Sequence, residues 1–271
     1  MVKVLVKGAG DIATGVAMTF YRSGFQVLMT EIAEPTVIRR RVSFATAVYE
    51  KSIEVEGIEG VLVKASDFQS VLNSGKIGVM VYDKGDVPSC YEPDIVVDAI
   101  LAKRNIRTSL KDASVVIGCG PGFTAGIDCH LVVETKRGHY LGRWLEEGAA
   151  APNSGIPGIV EGKGLERVLY SPIAGKVKHH KAIGDLLEEG ELVLEVAGAP
   201  VYSPFKGYLR GLIQEGLVVE AKMKIGDVDP RLEERYPFTV SEKAFAVGRG
   251  ALEGALYLGR KKAVFGVEKF E

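Results

Sequence analysis

The first 31 residues constrain the fold more than any other stretch of the chain. The segment Val2–Lys7 is short, β-branched and largely apolar, and the glycine-rich sequence GAGDIATG follows it directly. Val16–Arg22 has helical character, and a second apolar run, Phe25–Thr30, ends at Glu31. This order of strand, glycine turn, helix, strand and acid is that of a dinucleotide-binding βαβ unit.

Each part of this segment suits the binding of a nucleotide. Gly8 permits a tight turn, and Gly10 has no side chain to keep a phosphate from the backbone. Asp11 and Ile12 lie where a helix begins and offers free N–H groups to an anion. Glu31 follows Gly10 by about 20 residues, the usual distance for an acid that accepts from a ribose hydroxyl. The alternative is a βαβ unit that needs the turn and binds no nucleotide.

Asp11 complicates the nucleotide-binding pattern. Its carboxylate can cap the helix, but it can also repel a pyrophosphate or hold a metal ion that bridges to one. The sequence leaves these three roles open.

Further apolar runs predict the rest of a parallel sheet. They are separated by loops or helices and have the continuous apolar character of strands buried on both faces. The runs are Ile77–Tyr82, Ile95–Ala99, Val115–Gly118 and Leu131–Glu134. We therefore predict an α/β fold in which residues 1–165 form a Rossmann-like, doubly wound, mostly parallel domain.

The next region contains an internal repeat. Ser171–Gly175 reads SPIAG, and Ser203–Gly207, 32 residues further on, reads SPFKG. Glycine and apolar positions continue the match at the same spacing, which indicates a duplication. Two β-rich halves of this kind resemble the lipoyl/biotinyl barrel-sandwich fold, so we predict a small all-β module over residues 166–230. The expected hairpin between the halves, Val196–Pro200, lacks the lysine that carriers of that family modify.

The C-terminal part, residues 231–271, is predicted to return to the first domain. Ser241 is a good helix cap, and apolar residues then recur at helical spacing to about Leu258. Such a helix is not stable alone, so we expect it to pack on the α/β domain.

Two loops beyond the first turn carry candidate binding residues. One follows the strand Ile95–Ala99, and its cations and amide suit a phosphate or carboxylate ligand: Lys103, Arg104 and Asn105. Asp98, the acid at the end of that strand, is a further candidate in the same wall of the cleft. A polar loop with no ligand is the alternative.

The second loop follows the strand Val115–Gly118 and is rich in glycine. Its backbone N–H groups can hold an anion at the end of a parallel strand. The candidates are Gly118, Gly120, Gly122, Phe123 and Thr124. Cys119 is predicted to be exposed on the rim of this loop, as a nucleophile or a metal ligand, or else as a small residue in a tight turn. No sequence motif identifies a general base, so the catalytic residues are unknown.

Composition excludes several classes of partner. The 34 Lys and Arg residues are balanced by 35 Asp and Glu, which argues against a nucleic-acid partner. No apolar run has the length of a membrane span, and the chain begins with a strand where a signal peptide would stand. Three cysteines without CxxC spacing favour a reducing cytoplasm and argue against a structural metal site.

Several long motifs together resemble one known family. They are KGAGDIATGVA, TEIAEPTVIRRRVSFATAVYE, VDAILAKRN, IGCGPGFTAGIDCH, ETKRGHYLGR, APNSGIPG and IGDVDPR. These are similar to the YqeB-like proteins of the selenium-dependent molybdenum hydroxylase system, whose α/β part is related to the XdhC-type chaperones of xanthine dehydrogenase.

The resemblance implies an accessory factor that helps to mature a molybdenum hydroxylase. The implied partner is a hydroxylase subunit, and the implied ligand is molybdenum cofactor, a pterin dinucleotide whose phosphates suit the same turn that suits NAD(P). A homo-oligomer is also possible. Two alternatives stay open: an NAD(P)-dependent oxidoreductase, and a scaffold for a hydroxylase subunit that binds no ligand.

Overall fold

A computed structural model describes residues 1–153, 155 and 158–265. Residues 266–271 of the predicted C-terminal segment lie outside the described residues, as do Ser154, Ile156 and Pro157 of the APNSGIPG motif. The chain divides into two compact units. One comprises Met1–Pro35, Ser43–Asn153 and Val240–Glu271, and the other comprises Thr36–Val42 and Ser154–Thr239.

The first unit is a mixed α/β structure. Its strands are β1 (Lys3–Lys7), β2 (Gln26–Glu31), β3 (Ser52–Val55), β4 (Ile58–Val63), β5 (Ile77–Val81), β6 (Ile95–Asp98), β7 (Val115–Cys119), β8 (Thr124–Ala125), β9 (Leu131–Val133), β10 (Trp144–Leu145) and β11 (Gly148–Ala149). Its helices are α1 (Asp11–Arg22), α2 (Ala47–Glu50), α3 (Phe68–Asn73) and α4 (Glu242–Lys261).

Within the described residues, the main sheet has nine strands in the order β10-β9-β7-β6-β1-β2-β5-β4-β3. Its seven inner strands pair in parallel, and only β3 and β10, at the two edges, are antiparallel. The chain moves from β1 to β2 on one side and later returns to β6 on the other. The strand order therefore reverses between β1 and β6, and ligands bind at such reversals in open α/β sheets.

The predicted strand, helix and strand at the start of the chain are all present. Helix α1 begins at Asp11, earlier than the apolar pattern indicates, because Gly10 acts as its N-cap with an extended backbone. Gly10 itself has no side chain that would block the first turn.

Both faces of the main sheet are covered, which explains the continuous apolar strands. On one face, Leu5, Leu28 and Val96 cluster with Phe68 and Leu72 of α3. On the other face, α1 and α4 pack against each other and α4 continues over β7, β9 and β10. Helix α4 begins as predicted, with Ser241 Oγ accepting the backbone N–H of Ala244.

The second unit is built from short antiparallel strands. These are β12 (Val168–Tyr170), β13 (Gly175–His179), β14 (Leu186–Leu187), β15 (Leu192–Val196), β16 (Ala199–Tyr202), β17 (Gly207–Leu212), β18 (Val218–Val219) and β19 (Lys224–Asp229). They form two sheets in the orders β12-β19-β17-β14 and β16-β15-β13-β18.

The 32-residue repeat in the sequence is also a repeat in structure. Adding 32 to the residue numbers of β13, β14 and β15 gives the positions of β17, β18 and β19. When each strand is replaced by its equivalent in the other half of the repeat, the strand order of one sheet becomes that of the other. Ser171 Oγ donates to the carbonyl of Ile173 at 2.5 Å, and its equivalent Ser203 donates to the carbonyl of Phe205 at 2.8 Å. The repeated SP motif therefore makes the same serine-to-carbonyl hydrogen bond twice, each time from a buried serine.

Candidate functional site

The turn between β1 and α1 lies at the point where the strand order reverses. Gly8 has a φ of +90°, and a Cβ atom there would lie 3.0 Å from Cα of Ile100, just after β6. Glycine is therefore required both for the backbone conformation and for the close approach of the two chain segments. This contact brings the predicted turn and the predicted loop after Asp98 together.

Glu31, at the end of β2, is bonded to this turn. One of its carboxylate oxygens accepts the N–H of Ala9 at 2.9 Å, and the other accepts the N–H of Ile32 at 2.8 Å. Burial raises the pKa of Glu31, and the two N–H donors act in the opposite direction. Since an ionised carboxylate oxygen can accept more than one hydrogen bond, Glu31 retains capacity for a hydroxyl donor.

The first turn of α1 offers backbone N–H donors beside the same carboxyl ends of the strands. Gly10 precedes it, Asp11 is its first residue, and Ile12 turns its side chain into the core with 6 % exposure. The helix N-terminus carries partial positive charge, which favours an anion in front of it. Asp11 brings a negative charge to the same place.

The loop after β6 is anchored on a buried polar network. Asp98 is 1 % exposed, and its two oxygens accept the hydroxyl of Thr108 at 2.6 Å and the N–H of Ile100 at 3.1 Å. Burial raises the pKa of Asp98, and these two donors lower it in part. The buried Asp98 side chain therefore holds the backbone of this loop in place through hydrogen bonds.

Lys7, on the neighbouring strand β1, completes this network and was not predicted. Its ammonium group is fully buried and donates to the hydroxyl of Thr108 at 2.9 Å, to Asp112 at 2.6 Å and to the carbonyl of Gly85 at 3.0 Å. A lysine that ends an apolar strand just before the glycine turn is the one sequence signal that could have indicated it.

Asn105 links the loop after β6 to the loop after β7. Its amide nitrogen donates to the carbonyl of Thr108 at 2.8 Å and to Asp128 at 3.0 Å, while its amide oxygen accepts the N–H of Thr108. Asp128 in turn accepts the N–H of Thr124 at 2.7 Å. Asn105 thus uses its amide within the protein and fixes the two predicted loops against each other.

Backbone contact also joins these loops. A Cβ atom at Gly122 would lie 2.5 Å from the backbone nitrogen of Arg104, so only glycine fits there. Lys103 has a φ of +63°, and both Lys103 and Arg104 are exposed. The contact holds two cations at the surface beside the glycine loop.

The remaining residues of that loop are structural in their local contacts. Phe123 is 4 % exposed, and its ring occupies the space in which a side chain at Gly118 would lie. Gly120 has a φ of +81° and closely approaches Thr135. These residues set the path of the loop.

The prediction that Cys119 is exposed on the loop rim is wrong. Cys119 is the last residue of β7, fully buried, and burial raises the pKa of its thiol. The alternative interpretation, a small residue with a packing role, describes its position, since strand β7 extends one residue further than the apolar pattern indicates.

Lys243, in the first turn of α4, is a second residue that sequence reasoning missed. Burial and the charge of Arg137 lower its pKa, while the nearby carboxylates of Asp11 and Glu134 raise it. The neighbouring Ala244 packs on Gly15 of α1, which places this lysine near the N-terminal turn of α1. Only the packing of α4 on α1 brings this charge to the turn.

Two kinds of feature are absent from the described residues. No group of three or more His, Cys, Asp or Glu side chains there has an arrangement that could hold a metal ion. None of the helices in that part of the chain combines the length and apolar character needed to cross a bilayer.

Comparison with solved structures and family models adds little. The ectoine utilization protein EutE (DoeB) from Ruegeria pomeroyi, in a product-bound structure, matches with 12 % identity and a TM-score of 0.24 over 83 % of this chain and 56 % of its own. No family model matches the chain.

Comparison with curated proteins gives a much stronger match. The "Uncharacterized protein YqeB" of Escherichia coli (strain K12) is 43 % identical over 256 residues, which cover 94 % of this chain and 47 % of that protein. The chain therefore spans about half the length of the curated relative that it matches. This similarity over nearly the whole chain supports a YqeB-like protein.

Proposed function

We propose that the chain binds a nucleotide-like ligand at the carboxyl edge of β2, β1 and β6. The observation that carries this proposal is the position of the Gly8–Gly10 turn. It lies at the reversal of strand order, where the backbone of an α/β sheet leaves a crevice, and it leads directly into the N-terminus of a twelve-residue helix.

The residues of the site divide into two groups in this proposal: those that face the ligand and those that position them. Gly8, Gly10, Asp11 and Ile12 present the backbone of the turn to phosphate groups, and Glu31 accepts from a ribose hydroxyl. The exposed cations Lys103 and Arg104, together with Lys243, supply positive charge for the phosphates. The others position these groups: Asp98, Asn105, Gly118, Gly120, Gly122, Phe123 and Thr124.

We further propose that the bound ligand serves the maturation of a selenium-dependent molybdenum hydroxylase. The support is the resemblance of the sequence motifs to YqeB-like proteins and the 43 % identity to YqeB of Escherichia coli. Molybdenum cofactor in its dinucleotide form carries the ribose and phosphates that the turn and Glu31 suit. The proposal covers only the part of the longer relative that this chain spans.

The fold assignments within this proposal are a Rossmann-like first unit and a barrel-sandwich second unit. Support for the second comes from the two four-stranded sheets that the 32-residue repeat exchanges. Such a module without a carrier lysine suits an interaction surface for a hydroxylase subunit.

Calorimetric titration tests ligand binding directly. NAD, NADP, ATP and a molybdopterin dinucleotide are titrated into the protein and into a Gly10→Trp variant. Gly10 has a φ of −65°, so tryptophan fits the backbone conformation there but covers the approach to the turn. We expect one of these ligands to bind and the variant to lose that binding. If none of the four binds, the nucleotide proposal is wrong.

A matched pair of double variants tests the role of the cations. Lys103→Gln/Arg104→Gln removes two positive charges at the carboxyl edge. Lys3→Gln/Lys76→Gln removes the same charge at the opposite edge, where β1 and β5 begin. We expect the first pair to weaken binding by about tenfold or more and the second to change it by less than about twofold. Equal effects would show that only net charge matters.

The same titrations separate this proposal from its rivals. Tight binding of NAD(H) with turnover of a small substrate would favour an oxidoreductase. Capture of a hydroxylase subunit by the Gly10→Trp variant, at the level of the unmodified protein, would favour a scaffold that needs no ligand.

A further inference from the structure

A cavity lies at the carboxyl ends of the strands of the main sheet, two strands beyond the glycine turn. Its volume is about 420 Å³, and it is formed where β4 and β5 end. Val63, Met80 and Val81 give it an apolar lining, and Tyr82, Ser89 and Cys90 lie along it. A cavity of this size, apolar with a few polar groups, is typical of small-molecule sites.

The cavity is next to Glu31. Strands β2 and β5 are adjacent and parallel, with Glu31 paired in register with Val81, a residue of the cavity. The N–H of Tyr82 donates to the backbone carbonyl of Glu31 at 2.8 Å. Since paired strands lie about 4.8 Å apart, the cavity begins about one strand spacing from the Glu31 backbone.

Four neighbouring strands, in the order β1-β2-β5-β4, therefore present three different chemistries in sequence. Strand β1 leads to the backbone donors of the α1 N-terminus, which suit phosphate. Strand β2 ends at Glu31, which suits a ribose hydroxyl. Strands β5 and β4 end at an apolar cavity, which suits a flat heterocycle with apolar faces and polar edges. This is the order of groups along a 5′-nucleotide.

We infer that this cavity binds the heterocyclic base of the nucleotide, with its ribose at Glu31 and its phosphates at the glycine turn. The inference rests on the proposed function and adds the part of the ligand that a ribose and phosphate site leaves unassigned. Tyr82 offers a ring for contact with the base, and Ser89 offers a hydroxyl to its edge.

Cys90 provides a reporter for occupancy of the cavity. It is exposed and lies along the cavity, whereas Cys119 and Cys129 are buried. A thiol reagent such as iodoacetamide should therefore modify Cys90 first in the folded protein, and Cys90→Ser should abolish the fast reaction. A base in the cavity would cover the thiol.

The experiment measures the rate at which iodoacetamide alkylates Cys90 in the presence of adenosine, guanosine or cytidine diphosphate, or of ribose 5-phosphate. Each compound is used at a concentration that calorimetry shows to be saturating. We expect at least one of the nucleoside diphosphates to slow the alkylation by about tenfold or more. Ribose 5-phosphate, which has no base, should change the rate by less than about twofold.

A variant that fills the cavity gives a second readout. Ser89→Trp should weaken the binding of the diphosphate that protects Cys90, by about tenfold or more, and should leave the binding of ribose 5-phosphate unchanged. Ser70→Trp, on the exposed surface of α3, is the matched control and should bind both ligands normally.

The outcomes distinguish this inference from the proposed function. If a nucleotide binds but leaves Cys90 reactive, and Ser89→Trp binds it normally, the base lies elsewhere and the inference is overturned while the proposed function stands. If no nucleotide binds at all, both are overturned.

Discussion

The ammonium group of Lys7 determines the direction of a buried hydrogen-bond chain. Lysine has only donors, and its three acceptors are Gly85, Thr108 and Asp112. Because Thr108 Oγ1 accepts from Lys7, its own proton must go to Asp98, to which it lies at 2.6 Å. A group that both accepts and donates is therefore needed at Thr108.

Replacing this hydroxyl gives a clear prediction. Thr108→Val keeps the shape of the side chain but leaves a proton of Lys7 and an oxygen of Asp98 without their partner. We expect it to lower the free energy of unfolding by about 2 kcal/mol or more. Thr108→Ser retains the hydroxyl and should lose much less. Urea denaturation measures both, and an equal loss in the two variants would show that packing of the methyl group, not the hydroxyl, is what matters.

The raised pKa of Glu31 leads to a prediction of how ligand binding depends on pH. Burial raises its pKa, so it takes up a proton at a higher pH than an exposed glutamate does. The protonated acid is a weaker acceptor, and affinity for a ribose-containing ligand should therefore fall as the pH is lowered from about 8 to about 5.

Calorimetry over this pH range checks the prediction. Glu31→Gln should bind weakly, with little change over the range, whereas Glu34→Gln, at an exposed position nearby, should follow the unmodified protein. An affinity that stays constant in the unmodified protein would exclude the ionised carboxylate as a ligand contact.

Among the secondary-structure elements, α4 depends most on its glycines. Gly248 faces the backbone carbonyl of Gly15 on α1, and Gly250 faces the carbonyl of Gly142. Glycine normally weakens a helix interior, by about 1 kcal/mol relative to alanine. In α4 that cost is offset because the absence of side chains allows the helix to lie directly on neighbouring backbone.

The sign of a glycine-to-alanine substitution tests this packing. A Cβ atom at Gly250 would overlap the carbonyl oxygen of Gly142, and only a movement of the backbone would relieve the overlap. We expect Gly250→Ala to lower the free energy of unfolding by about 2 kcal/mol or more, against the intrinsic preference of the helix for alanine. Glu253→Ala, on the exposed side of α4, should change it by less than about 0.5 kcal/mol. A stabilising Gly250→Ala would contradict the packing described.

For the chain as a whole, the division into two units limits where a ligand can act. The glycine turn, Glu31 and the two loops all belong to the first unit, as does the cavity beside Cys90. A nucleotide bound there should slow backbone hydrogen exchange in that unit, since binding suppresses local opening.

Hydrogen exchange with mass spectrometry measures this distribution. We expect protection by the bound nucleotide in peptides that cover Gly8–Ile12 and Asp98–Asn105, and none in peptides that cover β13 and β17. Protection confined to the second unit would place the ligand outside the proposed site, and the Gly10→Trp variant serves as the control that should show no protection.

Sequence reasoning succeeded where the structure follows from local spacing. The β1–α1–β2 segment was predictable because a glycine turn between apolar runs admits few conformations. The repeat of the second unit was predictable because each copy carries its own turn residues, Ser171 and Ser203 among them. Continuous apolar runs likewise identified most of the parallel strands.

The features that only the tertiary structure decided depend on contacts between residues far apart in the chain. Whether Cys119 is exposed depends on where β7 ends within a covered sheet. Lys7 meets Thr108 and Asp112 because β1 and β6 are neighbours, and Lys243 reaches the first turn because α4 packs on α1. The sequence by itself determined a strand, a glycine turn and an acid suited to a nucleotide. The tertiary structure placed the charges and the cavity beside that turn. Local spacing could not predict this placement, because it depends on packing between segments that are far apart in the chain.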